Sequence, residues 1–208
     1  MNNIYFGFIL FLCLLLLGGC RKERVRINGQ VWMQENLNVD KFRNGDPIKE
    51  AKTQEEWVLA AESEQPAWCY FKNDPNNEEK YGKLYNWHAI SDPRGLAPEG
   101  WRLPTLEEFE VLISRLGGKK EADKSLRSLH GWVDGNNGSN SSGFNGKPGG
   151  FRSSDGYFYS LNSIATWWTA TQNDTYNAYH LKITSSIFNA NLTSENKAAG
   201  SSVRCIKN

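Results

Sequence analysis

The side chains that most often perform catalysis are few in this sequence and lie far apart. His88, His130 and His180 show neither the His-x-His nor the His-x-x-x-His spacing of a metal site. The sequence also lacks the Gly-x-Ser-x-Gly motif of a nucleophilic serine and the glycine-rich loops that bind phosphate. Residue types and spacing therefore favour a protein that is not an enzyme, and a metal-dependent enzyme is the weakest alternative.

Aromatic and amide side chains offer a different chemistry, the binding of sugar rings. An exposed aromatic ring stacks on the apolar C–H face of a sugar, while polar side chains bind its hydroxyl groups. Trp167 and Trp168 are adjacent in a predicted strand and therefore point to opposite faces. The alternative is that both tryptophans pack inside the protein. We predict that the following residues form a ligand-binding surface: Trp167, Tyr179, His180, Asn136, Asn137 and Asn140.

The three asparagines belong to a long segment, residues 131–150, in which fourteen of twenty residues are Gly, Asn or Ser. Such a segment cannot form a packed element of its own, and a loop of this length is usually functional or disordered. Asp and Asn oxygens suit calcium, so residues 134–137 leave calcium open as a cofactor, although no EF-hand loop is present.

The N-terminus differs in composition from the rest of the chain. No charged side chain precedes Arg21, and residues 4–17 are apolar or aromatic except Gly7. This run suits a signal peptide and is shorter than the roughly twenty residues that span a bilayer. It ends in Leu17-Gly18-Gly19-Cys20, which resembles a bacterial lipobox. We predict a signal peptide over residues 1–19, lipidation of Cys20 and a tether over 20–24. The alternative is an ordinary secretory signal or an uncleaved anchor.

Removal of the signal peptide would leave Cys20, Cys69 and Cys205. With Cys20 lipidated in an oxidising compartment, we expect a disulfide between Cys69 and Cys205, and the alternative is two buried thiols. No cysteine lies between them, which excludes a zinc ribbon and a Cys-x-x-Cys redox motif.

The charge balance argues against nucleic acid as a partner. Lys and Arg total 24 and Asp and Glu total 23, which gives a net charge of +1 over 208 residues. A chain with this balance does not attract a phosphate backbone through its overall charge. Aromatic residues make up 12% of the sequence and there are nineteen glycines, a composition that favours a loop-rich, partly β domain.

Several elements are readable from local signals. Asn28-Gly29 between residues 25–27 and 30–33 predicts a hairpin with a type I′ turn. Capping boxes begin predicted helices at Thr53, with Glu56, and at Thr105, with Glu108. Apolar residues recur at helical spacing from Leu106 to a stop at Gly117-Gly118, and Glu107, Glu108 and Glu110 fall in the first turn, where a structural role suits them. Further segments are predicted as a helix over residues 84–90 and as strands over residues 67–71, 156–161, 166–171, 178–183 and 202–206.

Three long motifs, residues 28–37, 81–87 and 95–105, resemble the Fibrobacter succinogenes major paralogous domain. Residues 142–144, 148–152, 167–171 and 202–205 continue the match in order, so the resemblance covers residues 25–207. It implies one domain over residues 25–208. The family consists largely of exported proteins and lipoproteins of uncertain function.

A more distant resemblance to the formylglycine-generating enzymes rests on residues 100–105 and on Val203-Arg204-Cys205. It implies a single α+β domain with a C-type-lectin-like fold, small twisted antiparallel sheets, two main helices and long ordered loops. Cys205 matches a structural disulfide position of that superfamily. The catalytic cysteine pair of those enzymes has no counterpart here, because no cysteine occurs between residues 70 and 204. Formylglycine-generating activity is therefore disfavoured.

Together these observations predict an exported lipoprotein that the lipid on Cys20 anchors in a membrane of the bacterial envelope. We expect the outer membrane, and the sequence does not specify which of its two leaflets holds the lipid. We expect a non-catalytic module that binds a glycan or an envelope protein. The alternative is a structural scaffold or assembly subunit of the cell envelope without a small ligand.

Overall fold

A computed structural model describes residues 24–208. The predicted signal peptide, Cys20 and the tether up to residue 23 lie outside the described residues. Within 24–208 the chain forms an α+β domain, which confirms the predicted fold class. None of its helices combines the length and the apolar composition that a membrane crossing requires.

Five α-helices occur in the described residues, and two of them begin at the predicted caps, Thr53 and Thr105. Thr53 and Thr105 each accept a hydrogen bond from the backbone of the glutamate three residues later, and that glutamate caps the threonine in return. The helices are α1 (Gln54–Glu62), α2 (Glu78–Tyr81), α3 (Trp87–Ser91), α4 (Leu106–Arg115) and α5 (Lys119–Leu126).

Twelve strands, most of them short, occur in the same residues. They are β1 (Arg24–Ile27), β2 (Gln30–Met33), β3 (Lys49–Glu50), β4 (Ala67–Cys69), β5 (Leu84–Tyr85), β6 (Trp101–Arg102), β7 (Phe151–Arg152), β8 (Phe158–Tyr159), β9 (Ile164–Gln172), β10 (Asn177–Thr184), β11 (Ile187–Asn196) and β12 (Ile206–Lys207).

The strands form four small sheets. The first has the order β1-β2-β12-β6, so the last strand pairs with β2 near the start of the described chain. Its predicted hairpin is confirmed, because Asn28 and Gly29 take φ values of 46° and 96° between β1 and β2. The second sheet is an antiparallel meander of the three longest strands, β11-β10-β9, and the remaining sheets are β3-β4-β5 and β7-β8.

The core consists of three clusters of buried apolar side chains, and the meander separates two of them. Trp167 belongs to the cluster that includes Trp32 and Phe109 of α4. Trp168, the next residue along β9, belongs to a cluster with Tyr85 and Trp87. Both faces of β9 are therefore covered by other parts of the chain at this point.

Several elements differ from the sequence prediction. The predicted helix over residues 84–90 is divided, since Asn86 caps α3 after the short strand β5. The predicted strands over 156–161 and 202–206 shrink to β8 and β12, which leaves Cys205 just outside a strand. Helix α5 and strand β11 had not been predicted. The segment 131–150 contains no strand and only one turn of 3-10 helix, which agrees with the predicted loop.

Candidate functional site

Trp167 does not face solvent, so its predicted exposure is wrong. Its side chain is 0% exposed and Trp168 is 1% exposed. The indole Nε1 of Trp167 donates a hydrogen bond to Oδ1 of Asn36 (2.9 Å), and Phe144 packs edge-on against its ring at 5.3 Å. The strand alternates as predicted, but each face lies against a part of the core, which leaves neither tryptophan available to stack on a sugar.

His180 is also enclosed, which corrects its predicted place on the surface. Its side chain is 2% exposed, its Nε2 is hydrogen-bonded to Oγ1 of Thr193 (3.0 Å), and its ring lies 5.6 Å from that of Trp168. Burial, with a smaller contribution from the charge of Lys182, lowers its pKa to about 3. His180 is therefore neutral over the usual pH range.

The other predicted candidates are half-buried and do not converge. Tyr179 alternates with His180 along β10 and so lies on the opposite face of the meander. In the long loop the asparagines stabilise the loop itself. Oδ1 of Asn137 accepts a hydrogen bond from the backbone of Trp132 (3.1 Å), and Oδ1 of Asn140 accepts one from the backbone of Asn145 (2.8 Å).

Asn136 has a related structural role, because its backbone carbonyl accepts a hydrogen bond from the buried Arg127 (2.8 Å). These contacts explain how a segment so rich in glycine and asparagine holds a fixed path. The predicted ligand-binding surface is therefore not assembled from the six residues named for it.

The predicted Cys69–Cys205 disulfide is not formed. Both cysteines are buried, but Cys69 packs in the cluster around Trp57, whereas Cys205 packs with Met33 and Tyr85. Each half of the proposed bond thus belongs to a different part of the core. Burial raises the pKa of the Cys69 thiol to about 12, with a smaller opposing effect of Arg152, so this cysteine is a poor nucleophile at neutral pH.

The acidic turn of α4 and a metal centre were the remaining catalytic possibilities. Glu108 caps α4 and forms an ion pair with Arg102, which agrees with the structural role expected for the acidic turn. Within residues 24–208, no three His, Cys, Asp or Glu side chains are grouped so as to hold a metal ion.

An aromatic platform, defined here as Phe151, Tyr157 and Tyr159, is exposed beside the meander. Phe151 and Tyr159 are paired across β7 and β8, and their rings stack at 5.7 Å with an interplanar angle of 29°. Tyr157 immediately precedes β8, and its backbone carbonyl accepts a hydrogen bond from the backbone of Ser153 (2.8 Å). If the alternation of the strand continues to this residue, Tyr157 lies on the side of Tyr159. Tyr157 is 54% exposed and Tyr159 is 45% exposed, while Phe158 between them packs against the core.

A polar niche adjoins this platform and shares Phe151 with it. Pairing of His180 with Thr193, of Lys182 with Thr166 and of Ala178 with Glu195 places these side chains on one face of the meander. The niche is lined by Phe151, Thr166, His180, Lys182, Glu195 and Ser201. The ammonium group of Lys182 lies 5.9 Å from the centre of the Phe151 ring.

Two residues of the niche carry unsatisfied polar atoms. Oγ1 of Thr166 and Nδ1 of His180 are among four buried side-chain polar atoms that lack a hydrogen-bond partner in the described part of the chain. Buried polar atoms are normally paired, and the niche leaves no free volume for a water molecule beside these two atoms. The platform and the niche together present stacking rings next to charged and hydroxyl groups.

The sequence carries no direct signal for this platform. Tyr157, Phe158 and Tyr159 are three consecutive aromatic residues, so no alternation of polar and apolar residues shows which side of the strand is exposed. The tryptophan pair seemed the better candidate by residue type, although large aromatic residues are usually buried. The tryptophan pair and the platform differ in that other parts of the chain cover both faces of β9.

The family model described as the Fibrobacter succinogenes major domain matches residues 25–207. No curated protein and no solved structure matches the chain.

Proposed function

The chain belongs to the Fibrobacter succinogenes major domain family, and on that premise we propose that it is an exported, lipid-anchored protein whose domain binds carbohydrate without catalysing a reaction. The apolar run over residues 4–17 and the Leu17-Gly18-Gly19-Cys20 sequence support export and lipidation of Cys20. A C-type-lectin-like form of the α+β fold is part of the proposal. The pairing of β12 with β2, which brings the two ends of the domain together, supports it.

The stacked pair of Phe151 and Tyr159 is the observation that carries the binding role. Stacking on Phe151 holds the ring of Tyr159, which stays 45% exposed, so its free face can stack on the C–H face of a sugar, as can the exposed ring of Tyr157. Lys182 and Glu195 lie beside the rings in the adjoining niche. They supply hydrogen-bond donors and acceptors for hydroxyl groups, as recognition of a polar ligand requires.

A glycan array tests this role with the full-length chain solubilised in detergent, with and without calcium. We expect binding that weakens about ten-fold when Tyr159→Ala or Tyr157→Ala removes one stacking ring. Tyr159→Phe should retain most of the binding, because it keeps the ring. The matched control is Tyr176→Ala, since Tyr176 is 74% exposed and is not part of the platform.

The outcomes separate the main alternatives. An array without any binding, with and without calcium, would contradict the carbohydrate proposal and favour the structural scaffold. Equal losses in Tyr159→Ala and Tyr176→Ala would show that binding does not depend on the platform. A requirement for calcium would identify the cofactor that the sequence left open.

A further inference from the structure

A second recess lies on the domain next to the long loop. It has a volume of about 340 Å³ and lies between residues 128–131 and residues 145–148, with Lys80 of α2 contributing to its lining. We call it the basic groove and define it by Lys80, Leu129, His130, Lys147 and Pro148. Leu129 is 52% exposed, so the groove offers a large apolar side chain together with two lysines.

The two lysines leave the groove with a positive character. Lys80 is exposed, its ammonium group lies 4.8 Å from the centre of the Tyr81 ring, and it has no carboxylate partner in the described residues. Glu78 of the same helix faces away from it, accepting a hydrogen bond from Asn38 (2.8 Å) and lying 3.8 Å from Lys83. The combination of an apolar side chain and cations suits an anionic partner that also has apolar parts.

Lys147, unlike Lys80, forms an ion pair. Its Nζ lies 2.8 Å from Oε2 of Glu35, and Nδ2 of Asn145 donates to Oε1 of the same carboxylate (3.2 Å). The side chain of Glu35 is half exposed, so this ion pair is screened by water and is weak. Glu35 thus reduces the positive charge of the groove without cancelling it.

The first strand enters the domain beside the groove. Nε2 of Gln34 in the chain after β2 donates to the carbonyl of Gly143 (3.5 Å), and the side chain of Val25 in β1 packs against the same glycine. Gly143 precedes groove residues Asn145 and Lys147 by two and four positions. The residues before β1 include Arg21 and Lys22 against Glu23, and β1 itself begins with Arg24, so the sequence that leads to this point is basic.

We propose that the basic groove rests on an anionic lipid surface and so sets the orientation of the domain on its membrane. This inference rests on the proposed membrane anchoring, which places a lipid surface within reach of β1, and it goes beyond carbohydrate binding. Exposed Leu129 enters the interfacial region, while Lys80 and Lys147 meet lipid phosphates. Each basic side chain close to an anionic surface strengthens such a contact about five-fold.

Hydrogen exchange on the full chain reconstituted into vesicles tests the orientation. One preparation uses phosphatidylcholine alone and the other phosphatidylcholine mixed with phosphatidylglycerol. We expect amides of residues 128–131 and 145–147 to exchange at least about five-fold more slowly in the anionic vesicles, and this protection to fall in high salt. Flotation of the vesicles, measured on the same samples, reports the anchoring separately.

Charge variants test whether the two lysines of the basic groove cause the protection. Lys80→Glu with Lys147→Glu should abolish the protection, whereas Glu35→Gln should increase it, because that change removes the counter-charge of Lys147. Lys41→Glu with Lys207→Glu is the control, since it alters the net charge equally at two exposed lysines that do not line the groove. Circular dichroism of each variant confirms that it is folded.

Flotation with both lipids and equal exchange in both would overturn the orientation and leave the anchoring intact. Equal effects of the groove variant and of the control would overturn it as well, because the attraction would then depend on net charge alone. Failure to float with either lipid would count against the anchoring in the proposed function and against the orientation that depends on it.

Discussion

His180 illustrates how strongly the surroundings of a single side chain set its chemistry. The imidazole is enclosed between Trp168 and Thr193, and its Nδ1 has no hydrogen-bond partner within residues 24–208. Burial, with a smaller effect of Lys182, lowers its pKa from 6.5 to about 3. Glu195 is the carboxylate that lines the same niche. The folded protein therefore holds His180 without a proton at pH values where the unfolded chain binds one.

This difference predicts a loss of stability in acid. Between pH 6.5 and about pH 3 the unfolded state binds more protons than the folded state, so the free energy of unfolding falls as the pH decreases through that range. The loss from this residue approaches about 1.4 kcal/mol per pH unit. Chemical unfolding measured across this range should show a steeper decline for the native protein than for His180→Gln, which does not titrate. A constant difference between the two proteins would contradict the prediction.

The identity of the exposed residues was the least predictable feature at this scale. Alternation along β9 correctly separates Trp167 from Trp168, but it does not say what covers each face. That depends on Trp32, Tyr85 and Trp87, which are more than eighty residues away in sequence. Phe151 and Tyr159, in contrast, lie in a two-residue strand pair in which the other two residues, Phe158 and Arg152, pack inward.

At the scale of elements, local signals predicted the starts of helices and the first hairpin. Capping boxes and an Asn-Gly turn act over a few residues, so their effect does not depend on the rest of the fold. Strand β11 was missed although Phe188, Ala190 and Leu192 alternate with polar residues, because this alternation is short and the rest of Ile187–Asn196 is polar. Its pairing with β10 and its contacts with α5 hold it in place, and neither is visible in a short window of sequence.

Glycine 150 connects the long loop to the platform and gives a prediction at this scale. Gly150 has a φ of +67°, and a Cβ there would lie 2.5 Å from the carbonyl oxygen of Tyr159 and 2.6 Å from the ring of Phe71. Gly45 has a φ of +93° but open space around it. We expect Gly45→Ala to cost about 1 kcal/mol of unfolding free energy from backbone strain alone, and Gly150→Ala to cost at least about 3 kcal/mol.

Urea unfolding of both variants measures the difference, which isolates the close approach of β7 to β8 from the backbone preference that the two glycines share. Similar costs would show that the β7–β8 pair can move away from the added methyl group. The aromatic platform should be disturbed only in Gly150→Ala, because the added methyl group would meet the carbonyl oxygen of Tyr159.

At the scale of the whole molecule, buried arginines join segments that are distant in sequence. Arg204 is 1% exposed and donates to the carbonyls of Met33 (3.1 Å), Gln34 (2.7 Å) and Phe144 and to Oδ1 of Asn36 (2.7 Å). Arg152 similarly donates to the carbonyls of Ala51 (2.9 Å), Thr53 (2.6 Å) and Gly156 (2.9 Å). These contacts give two of the family motifs a structural purpose.

Replacement of Arg204 should therefore destabilise the domain as a whole. Arg204→Met keeps much of the side-chain volume but leaves three buried carbonyls without their donor, and we expect a loss of about 3–5 kcal/mol. The control is Arg26→Met, because Arg26 is exposed on β1 and should change the free energy of unfolding by less than about 0.5 kcal/mol. Thermal and urea unfolding measure both, and equal effects would contradict the role assigned to Arg204.

The sequence could not show this assembly from its local patterns. Composition and periodicity indicate an α+β domain, and the resemblance of residues 25–207 identifies the family, but neither specifies which carbonyls a buried guanidinium binds. The misplaced disulfide has the same origin, since an oxidising compartment permits a bond without bringing Cys69 and Cys205 into one cluster.

The position of β12 restricts the order in which this protein can fold. Residue Ile206 pairs with Trp32 on one side and with Arg102 on the other, so the first sheet lacks an inner strand until the last few residues are present. Strands β2 and β6 are therefore not joined in one sheet at any stage of folding before β12 is in place. The sheet closes in a late step that unites segments more than a hundred residues apart in the chain.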